Sequence, residues 1–93
     1  MKFEWDPTKN ERNYKKHGIW FEEAQTVWAD PHSAEFFDPE HSQDEDRFIR
    51  LGCSTLNRFL LIAFCERESN GVVRIISARR MTTKERKQYE KGI

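Results

Sequence analysis

The sequence has few of the features that build cofactor or metal sites. Its four glycines are scattered singly, so there is no glycine-rich loop to cradle a phosphate. The two cysteines, Cys53 and Cys65, form no CxxC pair, which excludes a zinc knuckle or a thioredoxin-type centre. Both read as reduced, buried thiols. His17, His32 and His41 fit no HExxH or H-x3-H pattern, and Asp38, Asp44 and Asp46 lack the EF-hand spacing, so no metal centre is expected. The longest apolar run, 59–65, is far too short to span a bilayer, and the first residues contain no apolar signal-like stretch. The expectation is a soluble cytoplasmic protein with no membrane partner. Ninety-three residues predict one domain, 1–93, whose core is too small to enclose a large cofactor; none is expected.

Aromatic residues are plentiful: seven Phe, three Trp and two Tyr. Each buries a large area, so a few can hold together a small core in a chain that is one-third charged. The formal charge of zero hides a segregation. Residues 1–29 are balanced, residues 30–46 carry seven acids and no Lys or Arg, and residues 47–93 carry a net +7. The basic block can attract a polyanion. The acidic block either limits indiscriminate binding or pairs with the basic strands.

Residues 2–5 predict a short strand. Asp6 and Pro7 then supply an N-cap and a first helical residue, and a polar surface helix runs to about His17, ending at Gly18. Trp20, Ala24, Val27 and Trp28 recur on one face of a second helix over 20–28 and read as core. Residues 34–37 predict a strand and 38–46 a loop. Three strands follow at 47–54, 57–67 and 72–79, with Asn70-Gly71 as a strong turn signal. The central one is apolar on both faces, as for a strand covered on each side. Thr82 and Glu85 form a capping-box pair at the start of a last helix. The fold class is therefore α+β: a twisted, mostly antiparallel sheet with two N-terminal helices and one C-terminal helix.

The chemistry gathers where the last strand turns into the last helix. Alternation along the strand expects Val73, Ile75, Ser77 and Arg79 on one side and Arg74, Ile76 and Arg80 on the other. The hairpin register expects Arg67 opposite Val73 or Arg74, at the far end from Arg79. RNA cleavage without a metal needs a base for the 2′-OH, donors for charge on phosphorus and an acid for the 5′-oxygen. Arg79 is the first candidate for phosphate contact, with Arg67 or Arg80 assisting. Glu85, Tyr89, His17 and Lys16 are the candidates for proton transfer, and Trp5, Trp20 or Phe37 could stack on bases. A purely structural alternative makes Arg79, Arg86 and Glu85 surface ion pairs and has Tyr89 dock the last helix.

The stretches FEWDPTKNERNYKKHGIWFEEA at 3–24, Asp30-Pro31 and RIISARRMTTKERKQYE at 74–90 resemble the BrnT family of type II toxins. The resemblance spans nearly the whole chain in matching order. It implies a RelE-like ribonuclease fold and an endoribonuclease toxin that arrests growth by blocking translation, acting on RNA free or on the ribosome. It implies a BrnA-like antitoxin with a ribbon-helix-helix domain as partner, and contact with operator DNA only through that antitoxin. The family's motif positions fall here on Lys16, His17, Arg67, Arg79, Arg80, Thr83, Glu85, Arg86 and Tyr89. Arg80 stands where Lys is frequent, and Met81 where a small residue is frequent. The alternative function is a non-catalytic module that binds the antitoxin and co-represses the operon.

Overall fold

The computed structural model describes residues 1–67 and 71–92, with Arg67 as backbone alone. Five strands form one sheet in the order β1-β5-β4-β3-β2. These are β1 (Lys2–Glu4), β2 (Ala34–Phe37), β3 (Arg47–Cys53), β4 (Phe59–Arg67) and β5 (Val72–Arg80). All pairings are antiparallel except β1 with β5, which is parallel. Of the predicted turn at Asn70-Gly71, Asn70 lies outside the described residues, while Gly71 has the positive φ of 78° that glycine adopts without strain.

Helix α1 (Pro7–His17) starts where expected. The Asp6 carboxylate accepts the Thr8 N–H at 2.8 Å, and Gly18 closes the helix in the left-handed region. The second helix is shorter than its periodicity predicts. Helix α2 (Phe21–Ala24) tightens into a 3₁₀ turn over Gln25–Ala29. Its stripe is also only partly core. Val27 and Ala24 are fully buried and Trp28 packs against the core, but Trp20 is 41 % exposed and stacks on Tyr14 with ring centroids 4.1 Å apart.

The core lies between these helices and one face of the sheet. It comprises Ile19, Phe21, Ala24 and Val27 from the helical side and Leu60, Ile62, Phe64, Val73, Ile75 and Ala78 from β4 and β5. Trp28 meets Phe3 and Phe64 edge-on, extending the cluster with aromatic area. Cys65 is buried as expected, whereas Cys53 is half-buried; neither is in a disulfide.

Two buried asparagines fasten α1. β1 covers β5 only at Val72, Val73 and Arg74, which leaves the edge of β5 open beyond that point. Asn13 fills the gap by accepting the Ala78 N–H at 3.0 Å and donating to the Ala78 carbonyl at 2.8 Å and the Ile19 carbonyl at 2.9 Å. Three residues earlier on the same face, Asn10 accepts the Phe21 N–H at 2.7 Å and donates to Glu22. A side-chain amide can both donate and accept, so an asparagine substitutes for a neighbouring strand where a buried edge must be satisfied.

Strand β5 departs from simple alternation. Ala63 pairs with Ser77 but Phe64 pairs with Ile75, so Ile76 is an extra residue in a bulge. The bulge reverses the phase of every side chain beyond it. Val73, Ile75 and then Ala78 face the core, while Ser77 and Arg79 turn to the opposite face. The expected grouping of Arg79 with Val73 and Ile75 is thus corrected. Without the bulge Arg79 would lie on the core side.

Candidate active site on the open sheet face

Helix α3 (Thr83–Glu90) partly covers the face of the sheet away from the core. Its N-terminus carries the expected capping box. The Thr82 hydroxyl accepts the Glu85 N–H at 3.1 Å, and the Glu85 carboxylate accepts the Thr82 N–H at 2.8 Å. The same carboxylate grips Arg79, with Nη1–Oε1 at 2.8 Å and Nη2–Oε2 at 2.9 Å. Arg79 also donates through Nη1 to the Arg80 carbonyl at 3.1 Å. These bonds use three of the five guanidinium N–H donors and leave two for a ligand. Hydrogen bonding to Glu85 outweighs burial and raises the Arg79 pKa further. The hydrogen bonds from Arg79, joined by those from Thr82, outweigh burial at Glu85 and hold its carboxyl below the ordinary range. A carboxylate so committed is a positioning group for Arg79 and a weak base.

The face beyond α3 is a cleft of about 300 Å³. Cross-strand register builds its floor in rows: Leu61 beside Arg79, and Ile49 beside Ala63 and Ser77. The apolar pattern of β4 predicts cover on both faces, whereas Leu61 and Ala63 line the open cleft. Arg79 and Glu85 close one end. Arg47, Asp38 and His41 stand along the β3 side. The α1 side is basic, because Lys9, Arg12, Lys16 and His17 line a shallower groove that shares Ile76 and Ser77 with the cleft. The bulge that turns Arg79 outward therefore also brings it onto the face bordered by Lys16 and His17.

The remaining sequence candidates fall elsewhere. Arg80 is exposed and projects from the other face, where its charge contributes to keeping Glu23 ionised. The backbone of Arg67 pairs with Val72, one residue from the expected register, at the opposite end of the hairpin from Arg79. Tyr89 points away from Arg79. Its hydroxyl donates to Asp30 at 2.7 Å and its ring meets Phe59 edge-on. Burial, then the bond to the Asp30 carboxylate, pushes its pKa up to about 12. Burial works against ionisation of Asp30, but hydrogen bonds from Tyr89 and from the Cys53 and His32 amides outweigh it and lower its pKa. Tyr89 is thus an anchor for α3. Arg86 lies over the Phe59 ring at 3.7 Å and pairs with Glu90, and Thr83 is an exposed first-turn residue. Among the proposed base-stacking residues, Trp5 packs on Phe21, Trp20 on Tyr14 and Phe37 on Phe48, and none lines the cleft.

Three residues that line the cleft, Arg47, Asp38 and His41, are not among the catalytic candidates that the sequence offers; it names Asp38 and His41 only as side chains that fit no metal-site pattern. The segment 38–46 reads as an acidic loop, and its charge count hides the order that it carries. Pro39–His41 forms a 3₁₀ turn, and Ser42 pins the segment by donating to the Asp38 carbonyl and accepting the Arg47 N–H. Asp38 contacts His41 Nδ1 at 2.8 Å. The Arg47 Nε–H is buried without a hydrogen-bond partner among the described residues. The spacing Asp38-x-x-His41 was the available signal, since i and i+3 face each other in a helical turn.

A larger groove of about 710 Å³ lies between Tyr14, Trp20, Leu56 and Arg58, around the Glu23–Arg58 pair. Burial works against the Glu23 charge, but hydrogen bonds from Arg58 and Ser54 outweigh it and lower its pKa. That pair ties α2 to the 54–58 turn. The groove shares no residue with the Arg79 cleft, and its cation is already neutralised, so size alone does not make it the reactive site.

Comparison with known proteins agrees with this architecture. Residues 5–85 match the family described as "Ribonuclease toxin, BrnT, of type II toxin-antitoxin system". The structure superposes on the crystal structure of the Brucella abortus ribonuclease toxin BrnT with a TM-score of 0.64, covering 89 % of this chain and 99 % of that one at 22 % identity. At that identity the likeness establishes the fold. No curated protein matches the sequence.

Proposed function

Because this chain belongs to the BrnT family of ribonuclease toxins of type II toxin–antitoxin systems, we propose that its open sheet face is the site of metal-independent endoribonucleolytic cleavage. The observation that carries the reading is the Arg79 cleft. A guanidinium fixed by a carboxylate, with donors to spare, closes a cleft that meets, at Ile76 and Ser77, the groove lined by Lys16 and His17. An RNA backbone laid across the face would meet Arg79 at a non-bridging phosphate oxygen and the α1 cations at neighbouring phosphates.

In such a site the ribose 2′-oxygen attacks phosphorus as the P–O5′ bond breaks. The 2′-OH loses a proton and the 5′-oxygen gains one, leaving a 2′,3′-cyclic phosphate and a 5′-hydroxyl. Arg79 stabilises the added charge on the phosphorane, the work a metal ion would otherwise do. Lys16 and His17 remain as proton-transfer candidates. Glu85 serves by holding Arg79, and Tyr89 by docking α3.

Membership of a type II family implies an antitoxin protein as partner. The finer proposal is a BrnA-like antitoxin with a ribbon-helix-helix domain, through which alone this chain would reach operator DNA. The toxin would act in the cytoplasm and block translation by cutting RNA. Expressing the chain without its neighbouring gene tests this. Growth should stop, and Arg79→Ala should relieve the arrest. A non-catalytic antitoxin-binding module would leave growth unaffected in both cases.

A further inference from the structure

Resting on the ribonuclease reading above, we propose that His41, oriented by Asp38, is the general base that takes the 2′-OH proton at the Arg79 cleft. Three features place it there. First, His41 lines the same cleft as Arg79, Glu85 and Arg47. Second, Asp38 holds the imidazole by Nδ1 at 2.8 Å, which leaves Nε2 as the nitrogen that exchanges a proton with a ligand. The His41 side chain is 61 % exposed and that of Asp38 only 15 %, so the carboxylate is the fixed partner and the imidazole the accessible one. Third, the segment is built to hold this geometry. The Asp38 N–H donates to the Arg47 carbonyl at 2.9 Å, and Ser42 bridges the Asp38 carbonyl and the Arg47 N–H.

Neighbouring groups suit the role. Arg47, which follows the segment at the start of β3, adds a second guanidinium to the cleft that the imidazole lines, and its buried Nε–H has no hydrogen-bond partner among the described residues. A phosphate between Arg47 and Arg79 would lie within the cleft that His41 borders. Of the other candidates, Glu85 is bound by Arg79 and Tyr89 by Asp30, and Lys16 and His17 line the adjoining groove and not the cleft itself. In the step, neutral His41 donates its Nδ1–H to Asp38 and accepts the 2′-OH proton at Nε2. The 2′-oxygen bonds to phosphorus, the P–O5′ bond breaks, and the 5′-oxygen takes a proton from solvent or from the Lys16–His17 edge. One proton is taken up and one is released, and no oxidant or cofactor is involved.

The test is the cleavage rate of an RNA that the wild type cuts, measured across pH for His41→Ala, His41→Gln, Asp38→Asn and Arg79→Ala. The charged groups around His41 are Asp38, Glu40, Asp44, Glu45 and Arg47 on its own side, with Arg79 and Glu85 across the cleft. Both His41 variants should lose about 100-fold or more in kcat, with an unchanged melting temperature. The acid-side fall in rate should disappear, and added imidazole should restore part of the activity of His41→Ala but none of that of Arg79→Ala. Asp38→Asn should lose less than either and keep the acid-side fall. Rates within about threefold of wild type for both His41 variants would overturn the proposal while leaving the ribonuclease reading intact. So would a loss that imidazole does not rescue and that keeps the wild-type pH profile, because His41 would then be structural. A wild type that cuts no RNA would remove the ribonuclease reading and this proposal together.

Discussion

Arg79 and Glu85 are joined by two parallel hydrogen bonds, 2.8 and 2.9 Å long, at the corner where β5 turns into α3. Glu85 also accepts the Thr82 N–H, so one carboxylate both caps the helix and aims the guanidinium. Arg79→Lys should therefore fail to replace Arg79, because an ammonium lacks the planar fork that makes two parallel hydrogen bonds to the carboxylate and aims the remaining donors at a phosphate. RNA cleavage by Arg79→Lys should stay closer to Arg79→Ala than to wild type. Glu85→Gln should keep much of the cap and lose most of the aim, so its activity should fall far more than its melting temperature.

The pH dependence of stability follows from the same contacts. Glu85 and Asp30 have pKa values lowered on folding, so their contributions are fully present above the ordinary carboxylate range and are lost as pH falls through the depressed values. Tyr89 is shifted the other way. Its pKa rises on folding from 10.0 to about 12, so its contribution is present below pH 10 and is lost as pH rises toward 12. Melting temperatures measured from pH 8 to 12 should fall over the upper part of that range. Tyr89→Phe should flatten this fall and cost about 1–2 kcal/mol at neutral pH, because Asp30 loses a donor.

Asn13 should be among the costliest single positions. Asn13→Leu removes the partner of the Ala78 N–H and of the Ala78 and Ile19 carbonyls, all in buried surroundings. Each unsatisfied buried group costs about 1–3 kcal/mol, so urea denaturation should show a loss of at least about 2 kcal/mol. Because Asn13 ties α1 to β5, the variant should also lose activity by displacing the Lys16–His17 edge.

Gly52 marks a close approach between β3 and the 3₁₀ turn after α2. An added Cβ would stand 2.5 Å from Val27 Cγ1 and 3.0 Å from Ser33 Cβ. Gly52→Ala should destabilise by about 1–3 kcal/mol through overpacking. The double variant Gly52→Ala/Val27→Ala should lose less than the sum of the two single changes, as a double-mutant cycle would measure.

Much of the fold is legible in the sequence because its signals are local. The Asp6-Pro7 start, the Gly18 stop, the strand lengths and the Thr82–Glu85 capping box each need only a few neighbouring residues to specify them. The misreadings all come from tertiary context. The bulge at Ile76 has no composition signal, yet it decides which face Arg79 takes. The parallel strand β1 is too short to announce its partner, and so Asn10 and Asn13 read as surface polar residues when they are buried bonds to β5 and Phe21. The hydrogen bond from Tyr89 to Asp30 joins residues far apart in sequence, so no local pattern announces it. His41 looks like loop because the acids around it dominate the count.

The central claim, that Arg79 stabilises the charge on phosphorus in a metal-independent ribonuclease, is tested most directly by RNA cleavage in EDTA. Purified RNA is the substrate in EDTA, ribosome-bound mRNA is assayed with the magnesium that the ribosome itself needs, and the proteins are wild type and Arg79→Ala at matched concentration. Wild type should cleave at least one of the two substrates and leave 2′,3′-cyclic phosphate ends, and Arg79→Ala should be slower by about 100-fold or more. Equal rates for the two proteins, or cleavage of purified RNA by the wild type that stops in EDTA and returns with a divalent cation, would contradict it.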